Sequence, residues 1–205
     1  MNVYVMRHGT TVWNEKGITQ GRSFNMLSQK GKALTEQVSK NLKDVQIDVI
    51  FASPLMRTMQ TANIINKYHN AKVIKDERLI EIHQGIFTGK KRSSLTQEER
   101  ELKNSRDSSC GMESYQSVYE RVNNFIQSTK LNCPFENILI ITHNVCASLI
   151  YTILSNQKVD FKNDEQVRCF NNAEIKKLTI WLSINERSFI DKTKQLLYNI
   201  SNINI

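Results

Sequence analysis

Cysteine is scarce in this sequence, and no two cysteines lie close together. They form no C-x-x-C pair, and no histidine lies within ligand spacing of two of them. The four positions are Cys110, Cys133, Cys146 and Cys169. Their spacing argues against a disulfide framework and favours reduced thiols, as in a cytoplasmic protein.

Long hydrophobic runs are also missing. No apolar run reaches the ~20 residues that a membrane-spanning helix needs. The first residues, MNVYVMRHG, enter a strand-like segment without the basic region and long apolar region of a signal peptide. We therefore expect a soluble, cytoplasmic protein that does not bind a membrane. A chain of 205 residues can bury about 70% of its unfolded surface, which suffices for one domain over residues 1–205.

Blocks of one charge sign are absent, although the chain is basic overall. Its formal net charge is +8 at pH 7, and its isoelectric point is about 9.3. Basic residues are interleaved with acidic ones, as in EERELK at residues 98–103, and no lysine and arginine cluster contains interspersed aromatics. A nucleic-acid surface usually has such a cluster. The charge therefore predicts a small anionic ligand and no nucleic-acid partner. Nothing in the sequence indicates the oligomeric state.

Three short apolar segments predict buried strands. Residues 3–6, 49–52 and 138–141 are rich in β-branched side chains and lack polar alternation, which is typical of parallel strands covered on both faces. Helical patterns lie between them, at residues 34–42, where leucine and valine repeat every four positions, and at 115–126. The alternation predicts an α/β fold, a three-layer α/β/α sandwich with a mostly parallel central sheet.

Four further segments complete the predicted fold. Residues 73–74 and 174–182 suggest two additional strands, the second from its alternating apolar residues. Residues 90–112 are polar without a sustained apolar stripe, so we expect a short insertion there, a lid that contains a short helix. The tail at residues 185–205 has enough apolar residues for a helix on the surface.

Reactive side chains follow three of the predicted strands. Arg7 and His8 come directly after the first strand, Arg57 comes shortly after the second, and His143 follows the strand at 138–141. Ligands of open parallel sheets bind beyond the carboxyl ends of the strands. Guanidinium groups bind phosphate oxygens in pairs, and a neutral imidazole can attack phosphorus. The sequence therefore predicts a phosphoryl-transfer site at this edge of the sheet.

The residues around these strand ends form a series of motifs. They are RHG at 7–9 with TTVWN at 10–14, SPLMRT at 53–58, LIE at 79–81 with Gly85 and Gly89, GMES at 111–114, and TH at 142–143. In type and order they resemble the histidine phosphatase (phosphoglycerate mutase-like) superfamily over about residues 1–180. RHG alone carries little weight, whereas the whole series is specific.

The resemblance implies a role for each matched residue. His8 corresponds to the nucleophile that becomes a phosphohistidine. Arg7, Arg57 and His143 correspond to the groups that hold the phosphoryl oxygens and neutralise charge, which Mg²⁺ does in other phosphoryl-transfer enzymes. Asn14 would donate a further hydrogen bond to the phosphoryl group. This chemistry would need no metal and no other cofactor.

Glu81 corresponds to the general acid that protonates the leaving oxygen and later activates water. Glu77 and Asp76 lie close by in the sequence and are alternatives for this role. The remaining histidines, His69 and His83, match no motif, and we expect them to be structural or exposed.

Spacing excludes two other kinds of site. Residues 85–90, GIFTGK, have three residues between the glycines where a P-loop has four, and Lys91 stands where a P-loop has Ser or Thr. The histidines form no H-x-x-x-H pair, and no thiolate or carboxylate completes a zinc ligand set by spacing. The sequence therefore predicts neither a P-loop nor a metal site.

The family includes phosphatases and mutases, and the length of the insertion favours the first. Mutases usually carry a longer insertion before the motif at 111–114, whereas the one at 90–112 is short. We therefore predict a metal-independent phosphomonoesterase that acts on a small phosphorylated metabolite. The alternatives are a cofactor-dependent phosphoglycerate mutase-type phosphotransferase and a non-catalytic domain that binds a phosphorylated ligand.

The substrate itself is open. The basic residues of the insertion either bind a second anionic group of the substrate or are solvated charges balanced by nearby glutamates; they are Lys90, Lys91, Arg92, Arg100, Lys103 and Arg106. The sequence departs from the family pattern at Asn144, at Phe87-Thr88 and at residues 26–28 (MLS). We expect these departures to alter the shape of the pocket and to leave the chemistry intact.

Overall fold

The computed structural model describes residues 1–106, 108–132, 134–162 and 167–180. Strands and helices alternate along the chain, as predicted. The strands are β1 (Asn2–Arg7), β2 (Val49–Ala52), β3 (Lys72–Lys75), β4 (Asn137–Thr142) and β5 (Ile175–Thr179). The α-helices are α1 (Val12–Glu15), α2 (Gln29–Asn41), α3 (Met56–Ile65), α4 (Gln97–Ser105), α5 (Tyr115–Asn132) and α6 (Asn144–Leu154).

The five strands form one sheet in the order β3-β2-β4-β1-β5. The first four strands of this order are parallel to one another, and β5 runs antiparallel to β1. This confirms the mostly parallel sheet. Strands β1 and β4 are neighbours in register, with Arg7 opposite Thr142. The residues that follow them, His8 and His143, therefore leave the sheet side by side.

Helices cover both faces of the sheet. Successive residues of the central strands point to opposite faces, so one strand contributes side chains to the core on each side. Val3 and Val5 of β1 belong to a core cluster that includes residues of α5 and α6. Tyr4 and Met6 belong to a second cluster with residues of α2's C-terminal end and α3. The predicted three-layer α/β/α sandwich is confirmed.

Helix α2 is present, but its buried side differs from the predicted apolar stripe. Leu34 of that stripe is exposed, and the residues buried within the helix are Gly31, Thr35 and Ser39. A Cβ atom on Gly31 would lie 1.9 Å from the carbonyl oxygen of Thr10. Small side chains are therefore required here, because the helix backbone touches the loop after His8.

The predicted insertion contains a short helix, as expected. Helix α4 begins with a capping box in which Thr96 and Glu99 exchange hydrogen bonds. Leu95, Cys110 and Met112 of the insertion pack against Phe87 in a small apolar cluster. Phe87, one of the departures from the family pattern, thus belongs to a packed cluster. The predicted tail at 185–205 and residues 181–182 of the last predicted strand lie outside the described residues.

The described cysteines are free: Cys110 and Cys146 are buried and Cys169 is half-buried, while Cys133 lies outside the described residues. No three His, Cys, Asp or Glu side chains in the described ranges are grouped so that they could hold a metal ion. Over the same ranges, none of the helices combines the length and apolar character that crossing a bilayer requires.

Candidate active site

Two histidines and one arginine are buried together at the carboxyl edge of the sheet. The exposed fractions of His8, Arg57 and His143 are 2%, 1% and 0%. The rings of His8 and His143 meet edge to face with their centroids 5.2 Å apart. Arg57 comes from the first turn of α3 and donates from Nε to His8 Nε2 over 3.2 Å. The residues that follow β1, β2 and β4 are thus in contact with one another at this edge of the sheet.

The hydrogen bonds of His8 identify its tautomer. Nδ1 lies 2.7 Å from the carbonyl oxygen of Gly9, which can only accept, so Nδ1 carries the proton. Nε2 accepts from Arg57 and therefore carries a lone pair and no proton. Burial, followed by the charges of Arg57 and Arg7, lowers the pKa of His8 well below its ordinary value. The imidazole is therefore neutral, the form in which it can act as a nucleophile.

The main chain of His8 is held from both sides. Its amide donates to the carbonyl of Thr142 in β4 over 2.9 Å. Its carbonyl accepts from the amide of Ala173 and from Nδ2 of Asn172, both on the segment before β5. The main chain of His8 is therefore fixed by the central strand pair and by the segment that leads into β5.

Gly9 leaves no room for a side chain. Its amide donates to Thr61 Oγ1 over 3.0 Å. A Cβ atom at this position would lie only 2.4 Å from Thr35 Oγ1 in α2. Glycine is thus required for α2 and α3 to approach the loop that carries His8.

The guanidinium of Arg57 organises the loop opposite His8. Nη1 donates to the carbonyl of Ser23 and Nη2 to that of Gly21, over 3.0 and 2.7 Å. Burial lowers the pKa of Arg57 to about 10, so it stays positive at neutral pH. Arg7 donates from Nη1 to the carbonyl of Phe170 over 2.7 Å, whereas its buried Nε has no hydrogen-bond partner within the described chain.

His143 has one nitrogen engaged and one unengaged. Nε2 lies 2.8 Å from Oγ of Ser53, the residue after β2. Nδ1 is buried and has no partner among the described residues. Burial, followed by the charge of Arg57, lowers the pKa of His143 well below its ordinary value. His143 is therefore neutral before an anion binds.

Asn14 and Glu81 both line the cleft above His8. The side-chain oxygen of Asn14 accepts from the amide and the hydroxyl of Thr11, within a capping box at the start of α1. Glu81 is half-buried, and its Oε1 accepts from the amide of Ile82 over 3.0 Å. Of its rivals, Asp76 is bound by Arg78 and does not line the cleft, and Glu77 is exposed.

The segment before and at Glu81 is held by side chains, since it pairs with no strand. The four consecutive carbonyls of residues 78–81 accept in turn from Arg121 Nη1, Thr142 Oγ1, Cys146 Sγ and Arg22 Nε, over 2.6, 2.6, 3.0 and 3.0 Å. Each donor comes from a different element or loop. The position of Glu81 thus depends on residues distant in the sequence.

Glu113, the glutamate of the motif at 111–114, binds both arginines that hold the segment at residues 78–81. Its carboxylate accepts from Arg121 Nε and from Arg22 Nη2, each over 3.0 Å, and from the amide of His83. Burial raises the pKa of Glu113, but these donors outweigh it and the pKa is lowered. The sequence motif contained this residue, yet it gave no sign of what Glu113 binds.

The cleft is a volume of about 110 Å³ lined mainly by polar side chains. Five cations line it, namely Arg7, Arg57, Arg92, Lys103 and Arg168, and the one carboxylate among its described lining residues is Glu81. Asn144, a departure from the family pattern, also lines it, and its Oδ1 accepts from the amide of Phe170. Of the histidines, only His8 is among the described lining residues; His143 is fully buried and contacts the ring of His8 without lining the cleft, and His69 and His83 do not line it either.

The basic residues of the insertion do not share one environment. Arg92 and Lys103 face the cleft. Lys90 pairs with Glu99 over 2.6 Å, and the guanidinium of Arg106 lies 4.5 Å from the ring centroid of Tyr115. Two of these residues therefore face the cleft and one other is balanced by a glutamate, while binding of a second anionic group stays a prediction. The sequence did not identify Arg168 as a residue of the cleft.

Comparison with known proteins agrees with this geometry. A sequence profile of the histidine phosphatase superfamily (branch 1) matches residues 3–183. The chain is 34% identical to the probable phosphoglycerate mutase GpmB of Escherichia coli O1:K1 over an alignment of 161 residues, and this alignment covers 75% of each protein. Over 160 residues it is 29% identical to phosphoserine phosphatase 1 of Hydrogenobacter thermophilus, 75% of this chain and 76% of that protein.

A solved structure shows the same fold. The α-ribazole phosphatase of Shigella flexneri superposes with a TM-score of 0.76 at 23% identity, over 86% of this chain and 89% of that one. The extent of the sequence profile, from the first strand to beyond the last, includes every motif described above. The chain belongs to the histidine phosphatase superfamily.

Proposed function

We propose that this chain is a phosphomonoesterase that hydrolyses a small phosphorylated metabolite through a phosphohistidine at His8. One observation carries the proposal. A neutral imidazole, with its proton fixed on Nδ1 by Gly9 and its lone pair on Nε2, is buried against the guanidinium of Arg57, and the charge of Arg7 also acts on it. Such a group can attack phosphorus at neutral pH, and the adjacent cations favour a phosphoryl ligand.

In the first step, His8 Nε2 attacks phosphorus and the bond to the ester oxygen breaks. Arg57 Nε now donates to this nitrogen, so it must transfer its hydrogen bond to a phosphoryl oxygen as the N–P bond forms. The Nδ1 proton stays on the ring, and the carbonyl of Gly9 stabilises the imidazolium that results. Glu81, in its acid form, gives its proton to the leaving oxygen.

In the second step, water attacks the phosphohistidine. The carboxylate of Glu81 takes the proton of the water, the N–P bond breaks, and neutral His8 and inorganic phosphate are released. Glu81 is then protonated again for the next cycle. Its place as the carboxylate of the cleft supports this double role.

Arg7, Arg57, His143 and Asn14 would hold the phosphoryl oxygens. Nε of Arg7 and Nδ1 of His143 are buried without partners, and buried polar atoms rarely remain so unless a ligand or water satisfies them. Asn14 keeps its amide NH₂ available, because its oxygen is bound to Thr11. The guanidinium groups would supply the positive charge that Mg²⁺ supplies elsewhere, so we propose catalysis without a metal.

We further propose that residues 1–205 form one domain in which residues 90–112 act as a lid, and that the protein works in the cytoplasm. Two side chains of the segment line the cleft, which supports the lid. A segment with a single nine-residue helix is also short, and this favours hydrolysis over transfer between substrates.

The test is an assay of phosphate release from a panel of phosphomonoesters in the presence of EDTA, together with trapping of labelled enzyme. Acid-labile label on His8 and turnover in EDTA are expected. His8→Ala should lose turnover, while His69→Ala, a histidine outside the cleft, should keep it. Phosphoglycerate isomerisation that exceeds phosphate release would assign a mutase, and binding without turnover would assign a non-catalytic domain.

A further inference from the structure

Asn144 lines the cleft, yet the two-step reaction described above gives it no role. It is the first residue of α6, it follows His143 directly, and its side chain is half-buried. Because it departs from the family pattern, the resemblance to the family implies no role for it either. Its contacts in this structure show what it can do.

The amide group of Asn144 is held in one orientation. Its partner is the main-chain N–H of Phe170, 3.1 Å away, which can only donate. The accepting atom is therefore Oδ1, and this settles which end of the amide is oxygen and which is nitrogen. The NH₂ end has no hydrogen-bond partner among the described residues, so it is free to donate to a ligand.

Phe170 is a firm anchor for this amide, and it links Asn144 to Arg7. Phe170 is buried, and its ring meets that of Tyr151 edge to face with the centroids 6.0 Å apart. Its main-chain carbonyl accepts from Arg7 Nη1 over 2.7 Å, while its main-chain amide binds Asn144. The amide of Asn144 therefore lies on the same side of the cleft as the guanidinium of Arg7, which would hold the phosphoryl group.

Asn14 has the same arrangement in the same cleft. Its Oδ1 accepts from the amide and the hydroxyl of Thr11 and from Nδ2 of Asn172, whereas its NH₂ has no partner in the part of the chain that the structure describes. Two side-chain amides thus line one cleft with their oxygens occupied and their NH₂ groups available. Fixed N–H donors of this kind stabilise oxygens on which negative charge develops.

We propose that Asn144 is a further substrate-binding residue of this chain, and that its NH₂ group donates a hydrogen bond to an oxygen of the phosphate group that is transferred. The proposal rests on the proposed function, since it concerns the same cleft and the same reaction. It adds a neutral donor to the cationic groups around the phosphate. Inorganic phosphate, the product, has all the oxygens that this donor could bind, so its affinity reports on the contact directly.

Two substitutions at this position separate binding of the phosphate from anchoring of Phe170. Asn144→Ala removes both the NH₂ donor and the oxygen that accepts from Phe170. Asn144→Asp keeps an oxygen for the Phe170 amide and suits the first turn of a helix, but it has no NH₂ and its negative charge repels phosphate. The two roles therefore predict opposite orders for the two variants.

We measure kcat/KM for an alkyl phosphate and the dissociation constant of inorganic phosphate. Asn144→Ala should lower kcat/KM about tenfold or more, the effect of about 1.4 kcal/mol. Asn144→Asp should lower it further, and phosphate affinity should fall in the same order. If Asn144 only anchors Phe170, Asn144→Asp should instead resemble the wild type while Asn144→Ala is impaired, and this order would overturn the proposal.

Ser148, one turn further along α6, offers a matched control. Its Oγ accepts from the amide of Cys169, the residue before Phe170, over 3.0 Å, and it does not line the cleft. Ser148→Ala therefore loosens the same contact between α6 and the segment before β5 without removing a donor from the cleft. It should lose thermal stability as Asn144→Ala does, yet keep kcat/KM and phosphate affinity close to those of the wild type. Equal losses of phosphate affinity in the two variants would show that Asn144 acts through packing alone, against the proposal.

The failure of this inference differs from the failure of the function on which it rests. Absence of turnover with every phosphomonoester, p-nitrophenyl phosphate included, refutes the proposed phosphatase. The order of phosphate affinity among the wild type, Asn144→Ala and Asn144→Asp then still tests Asn144. Normal turnover and unchanged phosphate affinity in Asn144→Ala would overturn the role of Asn144 and leave the phosphatase standing.

Discussion

Replacement of Glu81 by glutamine is the most informative single perturbation of this site. The amide cannot give a proton to the leaving oxygen, and Asp76 cannot take over, because Arg78 binds both of its carboxylate oxygens. Within the described lining of the cleft no other carboxylate is available. The full contribution of general acid catalysis should therefore be lost, about a hundredfold or more.

The same substitution should barely affect the fold. Among the described residues, the Glu81 carboxylate accepts a hydrogen bond from the amide of Ile82, and glutamine keeps an oxygen able to accept it. A weakened hydrogen bond of this kind costs about 1 kcal/mol. Equal thermal stability of Glu81→Gln and the wild type, to within a few degrees, would show that a loss of rate is chemical.

The assay is single-turnover phosphorylation of His8 with two kinds of leaving group. An alkoxide such as glycerol is strongly basic and needs protonation, whereas p-nitrophenolate needs little. Glu81→Gln should slow phosphorylation by an alkyl phosphate about a hundredfold and by p-nitrophenyl phosphate much less. Glu77→Gln, an exposed neighbour, serves as the control and should slow neither. A uniform slowing with both leaving groups would refute the assignment of Glu81 as the acid.

Three further outcomes follow from the geometry. Arg57→Ala should lower kcat/KM about a hundredfold or more, the effect of ~3 kcal/mol, and a change under threefold would place Arg57 outside the chemistry. Glu113→Gln should release the two arginines that hold residues 78–81 and so impair alkyl phosphates more than p-nitrophenyl phosphate; equal impairment would indicate a role in folding alone. Because the pKa values of His8 and His143 are lowered by folding, the unfolded chain takes up more protons below about pH 6.5 and the free energy of unfolding should fall there. Denaturant titrations from pH 5 to 8 would measure this decline in the free energy of unfolding. The decline should be smaller in His143→Gln. If the folded histidines titrated normally, it would be absent.

The sheet and the residues at its carboxyl edge could be predicted because their signals are local. Each buried strand is a short apolar run, and Arg7, His8, Arg57 and His143 stand within a few residues of a strand end. Parallel pairing then brings them together, whatever lies between. Their positions in the structure agree with this reasoning, while their catalytic roles stay predictions.

The contacts that depend on distant segments could not be predicted in the same way. Arg168 reaches the cleft because the chain returns antiparallel to β1, and the alternation that predicts β5 reveals neither its partner strand nor its direction. Lys90 and Lys103 look alike in sequence, yet Glu99 neutralises the first alone. The buried side of α2 was also missed, since Gly31 and Thr35 are small or polar, and close backbone approach rather than hydrophobicity selects them.

The return of the chain to β1 has a consequence for biosynthesis. A nascent chain that has reached residue 160 already contains every side chain assigned to the chemistry. It still lacks Asn172 and Ala173, which bind the carbonyl of His8, and Phe170, which accepts from Arg7. The ribosome must therefore release β5 before His8 is held in place, so these contacts form only after all of those side chains have been made.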